Sequence, residues 1–160
     1  MEFFDYLTLK WLHILSATFL FGTGVGSAFY KLLADLGGDV HNIAQTNRHV
    51  VWADWLFTTP TFIIQPVSGI LLANVLGYSL ATPWLLASIC LYIFIGLCWF
   101  PVVVIQIRMA RMSAVAIQSQ TGLPPDYKRL VRYWVALGTL AFVAMIAVYY
   151  LMVFKPALWD

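Results

Sequence analysis

His13 is the only histidine of the chain set well inside a span-length apolar segment, for no Asp, Glu, Lys or Arg occurs from Trp11 to Tyr30. An imidazole left unpaired in hydrocarbon is costly, so His13 needs a partner. At helical spacing its face continues through Ser16, Ala17, Leu20, Gly24, Ser27 and Lys31, a surface of small and partly polar groups. Two kinds of chemistry suit that pattern. In one, His13 is an axial ligand to the iron of a b-type haem whose flat face lies along Ser16, Ala17, Gly24 and Ser27. The missing side chains let a macrocycle approach the backbone. A second ligand at that depth would come from Met145 or Cys90, both of which are also ordinary apolar fillers. In the other, Gly22-x-x-x-Gly26 is a helix-packing motif and His13 hydrogen-bonds across a bundle. The residues leave both open.

The remaining polar groups make weaker sites. His41 and His49 stand two helical turns apart, too far for a compact metal pair, and on the opposite side of the membrane from His13. They read as solvated interfacial histidines. Asp54 sits at a span boundary, where pairing with Arg48 or an arginine of the third loop is expected and proton uptake is the sharper alternative. Gln65, Asn74 and Gln106 are candidates for hydrogen bonds between helices. Met109 and Met112 make at best a poor Cu(I) site. On one helix Cys90 and Cys98 are about 12 Å apart, which excludes a disulfide between them.

The elements that must position these groups follow from charge. From Trp55 to Ile107 there is no Asp, Glu, Lys, Arg or His. As a single helix that run would reach about 80 Å, far beyond a hydrocarbon core of about 30 Å. It must fold back, and Gly77 to Pro83 is the natural turn. Charged residues make up 10% of the chain and mean hydropathy is +0.84, against about 25% charged residues in globular domains. The chain is therefore an all-α polytopic membrane protein, a bundle of four transmembrane helices forming a single domain over residues 1–160. The spans are expected at about 6–31, 53–76, 82–107 and 133–154. Pro60, Pro66 and Pro101 fall inside spans as expected kinks. A net charge of +2 without a basic cluster speaks against nucleic acid as a partner.

Basic residues set the orientation. Lys31 and Arg48 flank the first loop, and Arg108, Arg111, Lys128, Arg129 and Arg132 flank the third, against Lys10 and Lys155 on the other side. Both termini are then outside, in the periplasm of a bacterium, with the basic loops in the cytoplasm. The acidic start Met-Glu-Phe-Phe-Asp argues against a cleaved signal peptide. Ala34 to Trp52 reads as a short helix lying at the interface, and Asp126 as the cap of the last helix.

Several short stretches resemble HemJ-type protoporphyrinogen IX oxidases and CopD-like membrane proteins. They are Lys10-Trp-Leu-His13-Ile-Leu, Phe57-Thr58-Thr59-Pro60, Trp84-Leu-Leu, Arg108-Met-Ala-Arg111 and Val153-Phe-Lys155-Pro156. Within that grouping the chain is also similar to an uncharacterised bacterial integral-membrane family. The resemblance spans nearly the whole chain at low identity. It implies a four-span haem b protein of the bacterial inner membrane in which the matched histidine, His13, is functional. It also implies redox chemistry, as a HemJ-like oxidoreductase or by electron transfer to quinone or a membrane redox partner. One departure counts against carrying the oxidase reaction over: where HemJ has an essential lysine in span three, this chain has Leu86-Ala87-Ser88. The competing expectation is a cofactor-free transport or assembly protein, such as one handling copper in the manner of CopD-like proteins. Homo-oligomers through Gly22 and Gly26 fit either reading.

Overall fold

A computed structural model of the protein describes the backbone of residues 3–159 and the side chains of residues 6–159. The described chain is entirely helix and short loop: α1 (Phe3–Gly37), α2 (Val40–Ala53), a wide π-type turn (Asp54–Thr58), α3 (Thr59–Val75), α4 (Pro83–Gln118) and α5 (Pro125–Phe154). The π-type turn joins α2 to α3 without a break, so four rods are long and apolar enough to cross a membrane. The four-span, all-α reading stands.

Local chemistry explains where the rods begin and end. Gly38 and Gly77 adopt positive φ, +73° and +72°, which glycine alone reaches without cost from a Cβ. After α3, the Tyr78 N–H donates to Ala73 O at 2.9 Å and the Gly77 N–H to Asn74 O at 3.2 Å, closing the helix end. Asp39 caps α2 by accepting the His41 N–H at 3.1 Å. Pro83 and Pro125 open α4 and α5, where a missing N–H costs nothing. The π-type turn has a similar cause. Pro60 has no N–H for the carbonyl four residues back and its ring crowds that carbonyl; widening the preceding turn relieves both. Pro66 and Pro101 lie inside unbroken helices.

Two sequence expectations are corrected, and one flanking residue is buried. The segment from Ala34 to Trp52 is no separate interfacial helix: α1 runs on to Gly37, and α2 continues through the π-type turn into α3. Asp126 is not the cap of α5, which starts at Pro125 after Pro124; it sits in the first turn, where its charge suits the helix dipole. Lys31, which flanks the first loop, is the most deeply buried charged side chain described, 1% exposed.

The tightly packed helix pairs are α4 with α5, α1 with α3, and α2 with α4. Aromatic side chains bridge the other gaps. Between α3 and α4, Phe62 stacks on Tyr92 and Trp99 at 5.0 and 4.8 Å. Its ring tip lies 3.0 Å from where a Cβ on Gly96 would be, so only glycine lets it seat. Between α1 and α5, Phe21 meets Phe142 and Tyr149, and the Tyr149 hydroxyl donates to Ala17 O at 3.0 Å. One apolar core gathers Ala34, Ile43, Val102, Met109, Tyr127 and Trp134 at the basic end; a smaller one gathers Ala73, Trp84, Leu85 and Leu151 at the other. The outer surface carries large apolar groups such as Phe100 and Val153, the arrangement that lipid rather than water favours.

Candidate functional site

Away from the basic end, α1 and α3 share a four-residue polar group centred on His13. His13 Nδ1 lies 2.9 Å from Ser68 Oγ, and that hydroxyl spends its own proton on Ile64 O at 2.7 Å. With the Ser68 proton on Ile64 O, Nδ1 carries the imidazole proton and donates to Ser68, and Nε2 is the acceptor; the opposite tautomer reverses both roles. Nε2 is met by the Gln65 side-chain N–H at 3.3 Å, a long bond. Gln65 is held from its other end by Ser16, whose hydroxyl donates to Gln65 Oε1. Ring and backbone are in close contact: a Cβ on Gly69 would stand 3.2 Å from His13 Cε1. Helical spacing explains the cluster, since Gln65, Ser68 and Gly69 occupy one face of α3 and His13 and Ser16 one face of α1.

The other predicted site residues are placed less centrally. Ala17 is half-buried and gives its carbonyl to Tyr149. Ser27 donates back to Gly24 O at 3.3 Å within α1, and neither joins the His13 group. They lie about 16 and 21 Å further along the helix axis for Gly24 and Ser27 respectively. An added Cβ at Gly24 would meet nothing within 4 Å, and the same holds at Gly22 and Gly26. Cys90 is exposed on α4. Met145 is half-buried on the face of α5 that also holds Gly138 and Tyr149. Neither is bonded to the His13 group.

Does this group suit a haem? Among the described residues no three His, Cys, Asp or Glu side chains gather to hold a bare metal ion. A metal at His13 must bring most of its own ligands, as iron in a tetrapyrrole does. With Nδ1 donating to Ser68, the imidazole would offer its Nε2 lone pair to a metal, the arrangement in which a protein acceptor fixes the far N–H of a ligating histidine. Only the long Gln65 bond competes for that lone pair. Copper at Met109 is less well served: Met109 is wholly buried in the basic-end core, and Met112 packs against it.

Two further polar groups were under-read in the sequence. At the basic end Lys31 Nζ donates to Asp35 Oδ2 at 2.9 Å and to Tyr127 Oη at 3.2 Å. The Tyr127 hydroxyl donates to Asp35 Oδ1 at 2.8 Å and also accepts from Asn47 at 3.0 Å. Asn47 reaches Ser113 as well, at 3.1 Å, and the ammonium lies over the Trp134 ring. This clasp joins α1, α2, α4 and α5. Only the long-range pairing was missing from the sequence; the i, i+4 spacing of Lys31 and Asp35 was a visible signal.

The second is Asp54, at the start of the π-type turn. It pairs with no arginine, contrary to expectation. The Thr58 hydroxyl donates to its Oδ1 at 2.9 Å, and Gln106 of α4 lies beside it. Among the described residues, Asp54 Oδ2 and Gln106 Oε1 are buried acceptors with no donor. Arg48, the expected partner, is directed into a surface groove instead.

A family model described as a predicted integral membrane protein (DUF2269) matches residues 7–156. Comparison with curated proteins and with solved structures returned no match.

Proposed function

Starting from a chain that belongs to this family of predicted integral membrane proteins, we propose that it is a haem b-binding protein of the bacterial inner membrane, of HemJ-like descent, acting in electron transfer. The observation that carries the reading is the pair of His13 ring contacts, Nδ1 close to Ser68 Oγ at 2.9 Å and Nε2 only loosely met by Gln65 at 3.3 Å. His13 would hold the iron through Nε2. Ser68 would keep the imidazole oriented and raise its basicity by accepting the Nδ1 proton. Gln65 would give up its 3.3 Å bond and stay tethered to Ser16. Gly69 leaves the ring room against α3. The group, when bound, would supply one-electron redox chemistry, exchanged with a quinone or a membrane redox partner. The basic end faces the cytoplasm on the positive-inside rule, which sets His13 in the periplasmic half.

Protoporphyrinogen oxidation is left out of the proposal. Where HemJ carries its lysine, Leu86 is exposed and the buried Ser88 spends its hydroxyl on Trp84 O at 2.7 Å. The one buried lysine described, Lys31, is engaged at the opposite end.

Colour tests the reading. Protein purified in detergent, or reconstituted with added haem, should show a Soret band and a reduced α band, and His13→Ala should lose both while remaining folded. A preparation that stays colourless with haem in excess would end the redox account and favour a protein without cofactor, in which His13 only joins α1 to α3.

A further inference from the structure

At the basic end a groove of about 630 Å³ runs along the outside of the bundle between α2 and α4. Its walls repeat one antiparallel pattern. At the deep end Val51 of α2 and Ile107 of α4 give it apolar sides. One turn further out Arg48 and Arg111 face it from the two helices, and beyond them Gln45 and the small Ala114 continue it. No Asp or Glu lines it. Both guanidiniums are exposed, and the one ion pair among the described residues, Lys31–Asp35, lies elsewhere. Two cations facing one groove without a counter-ion repel each other and call for an anion from outside the chain.

The level of the groove narrows the choice. Ile107 closes the charge-free run and Trp52 and Trp55 stand exposed beside it, as interfacial tryptophans do. Arg48 lies about 5 Å beyond Val51, and Arg111 about 6 Å beyond Ile107, along their helices. A headgroup layer is about 5–7 Å deep on each side of the hydrocarbon. Both arginines therefore stand at phosphate depth, with an apolar slot directly below for an acyl chain.

We propose that the α2–α4 groove is a binding site for one anionic glycerophospholipid, with the phosphate forked between Arg48 and Arg111 and an acyl chain descending along Val51 and Ile107. Guanidinium suits this better than ammonium, because its planar donors grip phosphate oxygens in pairs. Gln45 offers a hydrogen bond to the polar substituent beyond the phosphate.

The test uses full-length protein, delipidated in detergent and offered equimolar phosphatidylglycerol and phosphatidylcholine, with adducts read by native mass spectrometry. Phosphatidylglycerol should dominate, and Arg48→Gln/Arg111→Gln should cut its excess by about fivefold or more. Arg129→Gln/Arg132→Gln removes equal charge outside the groove and should leave the preference intact. Ala114→Leu keeps both arginines but crowds the headgroup end of the groove, and should weaken the adduct without unfolding the chain. Equal adducts for the two lipids in the wild type, or equal losses in the two double variants, would overturn the proposal. Displacement by millimolar inorganic phosphate alone, or a dimer that excludes lipid, would overturn it too by handing the groove to a free anion or to a second copy.

Discussion

At the basic end, Lys31, Asp35, Tyr127, Asn47 and Ser113 draw four helices together. At the other, His13, Ser16, Gln65 and Ser68 link only α1 and α3. Both are polar groups buried between helices. In the first, the Tyr127 hydroxyl donates once and accepts twice, the ammonium has two oxygen partners and two aromatic rings, and nothing is left to bind. In the second, the histidine keeps a basic nitrogen behind one long bond. Saturation marks the clasp as structure; on the proposed reading, the loosely covered Nε2 of His13 is where a ligand would enter.

The largest expected effect breaks the clasp. Lys31→Ala leaves the mostly buried Asp35 carboxylate without its cation, and an uncompensated buried charge costs about 3–5 kcal/mol. Thermal unfolding in detergent should show this as the greatest single loss in the molecule. Lys31→Met with Asp35→Asn removes both charges at nearly constant volume and should recover most of it. If Lys31→Ala unfolds like the wild type, the contrast between a saturated end and an open end has no energetic basis.

Gly69→Ala probes the other end. The added Cβ would come within 3.2 Å of His13 Cε1, so the ring or α3 must shift, at about 1–3 kcal/mol. On the haem reading, the Soret and reduced α bands should weaken or move with it. Gly24→Ala meets nothing within 4 Å and should leave stability and colour unchanged or slightly improved. Equal bleaching by both would mean that the macrocycle lies along the length of α1, as the small-residue face first suggested.

Architecture was legible because it rests on composition: a charge-free run with a turn at Gly77 to Pro83 leaves few foldings in a bilayer. His13 was legible as a residue in need of partners. Which partners was not, because Ser68 and Gln65 become neighbours only once α3 is laid against α1, and a serine at i+3 from a glutamine is unremarkable in any span. The burial of Lys31 was hidden for a related reason. Its position near the end of an apolar run looks interfacial, and nothing local reveals that α1 continues to Gly37 and carries the lysine into a core built by α2, α4 and α5. The arginine partner expected for Asp54 failed likewise, since at the π-type turn its carboxylate meets Thr58 and Gln106 of α4 instead.

A smaller effect of opposite sign is expected at Asp54. Its Oδ2 and the Gln106 Oε1 are both acceptors lacking a donor. Asp54→Asn would exchange one bare carboxylate oxygen for an amide, removing a buried acceptor without a donor, for a gain of about 1 kcal/mol. A raised melting temperature in detergent would identify the pair as a local defect that the rest of the bundle tolerates. A loss would mean that the carboxyl group is itself required there.

A small structural effect should come from Gln65→Ala, and it separates the two readings of His13 most directly. The variant removes a 3.3 Å bond and the Ser16 contact. Hydrogen bonds between helices in a bilayer average about 0.6 kcal/mol, because the separated helices find other partners. Stability should hardly move. If Nε2 is the iron ligand, uncovering it should leave haem occupancy equal or higher, while His13→Ala abolishes it at a similar stability. If Gln65→Ala bleaches the protein as fully as His13→Ala, then glutamine and histidine act as one unit, and the loosely covered lone pair loses its meaning as an entry point.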